Sequence, residues 1–220
     1  MTAVAPEGFA ARLRAGTRAE HEAAESSPFM ANLLDGRLGR TAYAELSAQL
    51  WFVYRALEES GERLADHPVV GPLIDPALFR TPALESDLAH LLGPGWRSGL
   101  VPLPAARAYA DRIREVAVDW PAGYAAHHYT RYLGDLAGGQ VIRSVAERTW
   151  GFRHKGDGVR FYVFDRVPNP AEFRRAYRAR LDALPLDEVA QRRVAEEAAH
   201  AFRLNRALFR ELDGRFPLSA

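Results

Sequence analysis

Tyr129-Thr130-Arg131-Tyr132-Leu133-Gly134-Asp135-Leu136-Ala137-Gly138-Gly139-Gln140 is the stretch on which the reading of this chain turns. Helix-like sequence flanks it on both sides, opening at Pro121, a residue tolerated in a helix's first turn, and running to about residue 149. Glycines 134, 138 and 139 sit in the interior of that helix, where each costs about 0.5–1 kcal/mol relative to alanine. Something should offset that cost. Without a Cβ, a flat or bulky group could approach the backbone closely, or the helix could kink there. Asp135 lies four residues after Arg131 and four before Gly139, so the carboxylate and the glycine gap share roughly one face. The same spacing serves equally well for a glycine-lined helix crossing with Asp135 in a structural salt bridge to Arg131. A phosphate loop does not fit, because the lysine and the strand-loop-helix setting are missing.

Outward from this stretch, helical periodicity dominates. An alanine- and arginine-rich amphipathic helix holds Phe9, Leu13, Ala19 and His21 to Ala24. Thr41 is placed to cap a long helix over about 41–65, and helices are expected over 84–92, 104–118, 121–149, 170–184 and 186–212. His67 to Pro82 reads as short helix and loop, Gly93 to Pro104 as loop, and Gly151 to Gly158 as a break. Phe161 to Val167 is β-like but too short for a sheet, and reads as an irregular link. There is no repeat and no linker, so the expectation is an all-α single domain over 1–220, with its core at about 10–212.

Composition sets the outer limits. The 220 residues are 48% apolar and 26% charged, as in an ordinary globular domain with a sizeable core. A net charge of +1 creates no global field, so nucleic acid and membrane surfaces are not expected partners. Without cysteine there is no disulfide, thiolate ligand, Fe–S cluster or cysteine nucleophile. No apolar run reaches the ~20 residues of a membrane span. Met1 to Gly8 lacks a signal-peptide pattern, and Phe216 to Ala220 carries no anchor. The default expectation is a cytoplasmic protein.

Two further places carry candidate chemistry. Arg14, Arg18, His21 and Glu25 form one helical stripe, joined by Thr17. A metal-ligating imidazole needs its second nitrogen bonded to a carboxylate or carbonyl, which Glu25 could supply, while the arginines suit anionic groups. A solvated, salt-bridged helix face would look the same. In Phe173-Arg174-Arg175-Ala176-Tyr177-Arg178, Arg174 and Arg178 share a face, as on many exposed helices.

Taken together, these places resemble the haem oxygenase family over roughly residues 10–212. The match is specific at His21 with Glu25, at Gly134 to Gly139, and at Phe173 to Arg178; Ala137 stands where the family usually has serine. The resemblance implies a helical fold with haem b sandwiched between a proximal helix, Leu13 to Met30, and a distal helix, Tyr129 to Ile142. It implies His21 as axial iron ligand with Glu25 as its partner, and Thr17 and Met30 in the pocket. Gly138 and Gly139 would lie against the haem face beside Gly134. Asp135 would anchor waters next to the bound oxygen, supported by Arg131 and Tyr54. Arg14, Arg18, Arg174, Arg178 and Tyr129 would serve the propionates, and Phe202, Asn205, Phe161 and Tyr162 match pocket positions.

The implied activity is oxygen- and electron-dependent cleavage of haem, at the α-meso edge, to biliverdin, carbon monoxide and ferrous iron. Haem and dioxygen would be the small partners. Electrons would come from ferredoxin and ferredoxin reductase, and no other metal is expected. Rival readings are a non-catalytic haem carrier, a thiamin-degrading enzyme (which would need a cysteine) and a di-iron carboxylate bundle. Glu197-Ala198-Ala199-His200 fits one Glu-x-x-His, but such sites need a second copy. Glu197 and His200 are therefore read as surface polar residues. A bis-histidine site at His127 and His128 is disfavoured, since the glycine gap better serves an open oxygen site.

Overall fold

The computed structural model describes residues 8–218; the readings made on Met1 to Glu7 and on Ser219 and Ala220 lie outside it. Eight α-helices follow in order: α1 (Phe9–Glu25), α2 (Pro28–Leu34), α3 (Arg40–Arg63), α4 (Thr81–Leu92), α5 (Pro104–Asp119), α6 (Pro121–Trp150), α7 (Pro170–Asp182) and α8 (Glu188–Arg215). No strand occurs among the described residues, and the all-helical expectation holds.

Local chemistry explains most boundaries. Pro28, Pro104, Pro121 and Pro170 each stand in a first helical turn, where the missing N–H has no intrahelical partner to lose. Asn169 and Asp187 accept from the backbone N–H of Glu172 and Ala190, capping α7 and α8. Gly151, at φ +69°, ends α6 in a left-handed conformation open to glycine.

Three expectations change. The proximal run from Leu13 to Met30 is two helices, because the chain turns at Ser26 and Ser27; Met30 sits on α2. Thr41 is not a cap: α3 starts at Arg40 behind Gly39, without a side-chain cap bond. The β-like stretch begins with a 3-10 turn at Arg160–Tyr162. Its neighbouring amides bond to a side chain rather than to another strand.

α1 packs along α8, α3 against α4 and α5, and α6 against α8. From Gly123 to Leu133, α6 is buried on every side. That explains why this segment shows no clean amphipathic stripe: a helix enclosed all round has no solvent face to mark. Beyond Leu133 the same helix emerges, and Gly134 and Ala137 are exposed along one side. The cleft opens at this emergence, between α6 and the α1–α8 pair.

Candidate active site

Two adjoining cavities of about 490 and 560 Å³ make up the cleft, a size that suits a small-molecule ligand. Both are bordered by His21 and Glu25 of α1, Gly134 and Ala137 of α6, and Phe202 of α8. His21 is half-buried and stands edge-on to Phe202, with ring centroids 5.5 Å apart. Its Nε2 lies 3.4 Å from Glu25 Oε1, which leaves the other ring nitrogen without a partner among the described residues. One nitrogen facing a carboxylate and one unspent is the arrangement an axial ligand needs.

The glycines divide by direction. A Cβ built on Gly134 or Gly138 would meet nothing within 4 Å, so these two residues leave open space along the cleft. Gly139 borders the cleft too, but its Cβ would come 2.9 Å from Tyr162 Cδ1. The absent side chain at 139 makes room for a protein ring, whereas at 134 and 138 it makes room for a ligand. The sequence showed three similar glycines and could not separate these roles.

Asp135 sits at the inner wall, buried. The Tyr54 hydroxyl donates to Asp135 Oδ2 and accepts from Arg131 Nε at 3.1 Å. Arg131 Nη1 donates to Asn205 Oδ1 at 2.8 Å, and Nη2 reaches Asp135 Oδ1 only at 3.5 Å. Residues 54, 131, 135 and 205, from three helices, thus form one network at the cleft wall. Burial pushes the Asp135 carboxyl well above the usual carboxylate range, because its desolvation is incompletely compensated. The spacing left a salt bridge and a functional carboxylate as alternatives. The structure gives Asp135 a phenol partner and a distant guanidinium.

The other cavity is basic. Arg14 and Arg18 are exposed, Arg178 is half-buried, and all three border it with Thr17 and Tyr129. Burial raises the Tyr129 phenol, while the Thr17 hydroxyl, Arg178 and Arg14 pull it back. Arg174 is not among the residues bordering either cavity. It donates to the Leu136 carbonyl at 2.7 Å and so braces α6. Met30 and Asn205 border the larger of the two cavities. Leu34, Ile142 and Phe209 border it as well and were missed, since an apolar residue at helical spacing reads as core whether it meets a ligand or a neighbour.

Glu197 is not a surface residue. It is buried, accepts from Arg112 Nε and Nη2 at 2.9 and 2.6 Å, and lies 2.9 Å from His127 Nε2. His200 is half-buried. His128 is also buried, bonded to the Tyr177 hydroxyl at 2.7 Å and stacked on that ring. Each α6 histidine has one ring nitrogen bonded inside the core and the other buried without a partner among the described residues, and neither borders the cleft. Burial lowers both, His128 to about 3. No cluster of His, Cys, Asp and Glu able to hold a metal ion occurs among the described residues.

Fold and cleft together define an all-helical protein with a ligand-sized cleft that is bordered by bare helix backbone, an imidazole and a group of cations. The heme oxygenase family profile matches residues 7–211. Heme oxygenase 1 of Gallus gallus is 40% identical over 201 residues, covering 91% of this chain and 68% of that one. The structure of heme oxygenase-1 from Synechocystis in complex with heme superposes with a TM-score of 0.91 at 36% identity, covering 95% of this chain and 94% of that one. The Leptospira interrogans heme oxygenase gives 0.89 at 36% identity, covering 93% and 100%. The chain belongs to the heme oxygenase family.

Proposed function

We propose that this chain, as a single domain, cleaves haem b oxidatively to biliverdin, carbon monoxide and ferrous iron, opening the α-meso edge. The observation that carries this reading is the opposition of two features across one cleft. An imidazole with one unspent nitrogen stands on α1, and a helix backbone without side chains at Gly134 and Gly138 stands on α6. A planar tetrapyrrole with two carboxylates fits that donor set: a nitrogen for iron, a flat wall for the ring and arginines for the acid groups.

Bound haem supplies the redox-active iron and the site at which dioxygen reacts. His21 would provide a nitrogen ligand for the iron, oriented by Glu25. Arg14, Arg18, Arg178 and Tyr129 hold the carboxylates and so fix ring rotation, which selects the edge to be cut. Arg174 contributes by holding α6 through Leu136. Gly134 and Gly138 admit the ring against the helix, and Phe202 and Met30 exclude water from its faces. The Asp135 carboxyl, kept in place by Tyr54, Arg131 and Asn205, would hold a proton or an ordered water at the cleft wall. Without that positioned donor, oxidation would go astray from the ring edge.

Electrons have to be delivered from outside. A ferredoxin with its reductase, in the cytoplasm, is the proposed source. No described helix is long and apolar enough to cross a membrane. The test is an optical titration with one equivalent of haemin, followed by ascorbate or a ferredoxin system in air. The expected result is Soret loss, biliverdin absorption and released carbon monoxide. A Soret band that survives repeated reduction would reduce the protein to a haem binder, and no Soret shift at all would remove the site. Chromatography of the product isomer checks the α edge.

A further inference from the structure

Asp87 lies on α4, almost fully buried, and borders neither cavity of the cleft. Its Oδ1 accepts from the backbone N–H of Gly158 at 2.7 Å and of Arg160 at 3.0 Å; its Oδ2 accepts from Phe161 N–H at 2.8 Å. No backbone carbonyl serves these amides, so one carboxylate takes the place of a sheet ladder for this turn. Two further bonds fix the same segment. The Tyr43 hydroxyl donates to the Gly158 carbonyl at 2.6 Å, and Gln140 of α6 donates to the Tyr162 carbonyl at 2.8 Å while Arg143 braces its amide oxygen.

The segment held in this way forms the back wall of the distal network. Phe161 stands edge-on to the Tyr54 ring, with centroids 5.0 Å apart, and Tyr162 fills the space left by Gly139. Tyr54 in turn donates to Asp135.

We propose that Asp87 is a positioning residue for the reaction: by holding the 158–161 backbone it seats Phe161 against Tyr54 and so aims the Tyr54 hydroxyl at Asp135. The proposal rests on the reading of Asp135 as the distal proton holder. It adds a residue that is remote from the cleft and acts only through the turn.

Asp87→Asn separates the bonds. An amide oxygen in the Oδ1 position keeps Gly158 and Arg160, but its NH2 then faces the Phe161 N–H, donor against donor. If the amide turns over, two N–H groups are orphaned instead of one. In the protein without haem, the Phe161 amide is expected to exchange hydrogen about tenfold faster. The Asp135 side-chain carbon, followed by NMR, should then titrate still further above the ordinary carboxylate range, because the carboxylate has lost a donor.

With haemin, kcat is expected to fall about tenfold, as for a sub-ångström misplacement, while haemin Kd stays within about threefold. Tyr54→Phe should cost less in the Asp87→Asn background than alone, since both changes act on one hydroxyl. Additive losses from the two substitutions, or an unmoved Asp135 titration beside a freed Phe161 amide, would overturn the proposal. So would a kcat loss matched by an equal loss of haemin affinity.

If Asp87→Asn does not fold, Gln140→Met loosens the same segment from an exposed position on α6. Full independence of Tyr54→Phe and Gln140→Met would then count against the proposal. Absence of turnover in the unaltered protein would sink the oxygenase reading instead, and the two measurements made without haem would still decide whether Asp87 governs Asp135.

Discussion

Asp135 and Glu197 are both buried carboxylates with an arginine close by, yet they are held in opposite ways. Glu197 receives two N–H bonds from Arg112 and one from His127 Nε2. Against the upward push of burial, these bonds hold it down at about 2. Asp135 receives the Tyr54 hydroxyl, while Arg131 gives its closer bonds to Tyr54 and Asn205 and stays 3.5 Å away. Burial therefore wins, and the carboxyl rises. The fully compensated carboxylate ties α5, α6 and α8 together inside the core. The under-compensated one borders the cleft, and its affinity for a proton is raised. Proximity to an arginine is thus a poor guide to role; what matters is whether the guanidinium gives its close bonds to the carboxylate, as Arg112 does, or to other groups, as Arg131 does.

The sharpest way to break this contrast is Asp135→Ala. Turnover to biliverdin is expected to fall about 10²–10³-fold, the range for a lost acid–base group, with haemin affinity retained and peroxidase-like oxidation appearing in its place. Unchanged biliverdin yield would remove Asp135 from the reaction. Asp135→Asn should go further and raise the melting temperature at pH 7. A raised carboxyl favours the fold in its protonated form, so it penalises the folded state increasingly as pH climbs above the ordinary value of 3.8, and a neutral amide escapes that penalty.

Glu197 should behave with the opposite sign. Its folded value lies below the ordinary 4.5, so its stabilisation is complete above about pH 4.5 and fades as pH falls toward about 2. Chemical denaturation from pH 5 down to pH 2 should show this loss in the parent and a flatter profile in Glu197→Gln. Equal slopes in the two proteins would mean that Glu197 is not held as described.

The glycines sharpen the picture at smaller scale. Gly139→Ala, which drives a methyl into the Tyr162 ring, is expected to cost about 1–3 kcal/mol of stability. Gly134→Ala should instead gain about 0.5–1 kcal/mol, since alanine favours the helix and its methyl meets only open space. The same methyl should weaken haemin binding. Loss of stability in both variants would erase the distinction between a wall made for a ring of the protein and one made for a ligand. The smallest effect is expected at the open end. Arg178→Ala should raise haemin Kd about threefold to tenfold, with a weaker salt dependence than the parent, because an arginine partly in water is screened. A salt-independent parent would argue against an ionic clamp there.

The sequence by itself carried the helical class, most helix spans, and the three places where the family resemblance concentrates. Those features are local. Periodicity, first-turn prolines and glycines inside a helix follow from a residue and its near neighbours. His21 with Glu25 and Arg131 with Asp135 were legible for the same reason, being one helical turn apart. Contacts between distant segments were not. Glu197 read as surface because its partners stand 85 and 70 residues away. Arg174 read as a free cation because nothing local reveals the Leu136 carbonyl it meets. Asp87 gave no sign at all, since an aspartate in a helix says nothing of a turn 71 to 74 residues later. Only the tertiary structure decided which charges are spent and which remain, because burial and bonding partners arise when distant helices close around a group, and these set both its proton affinity and its role.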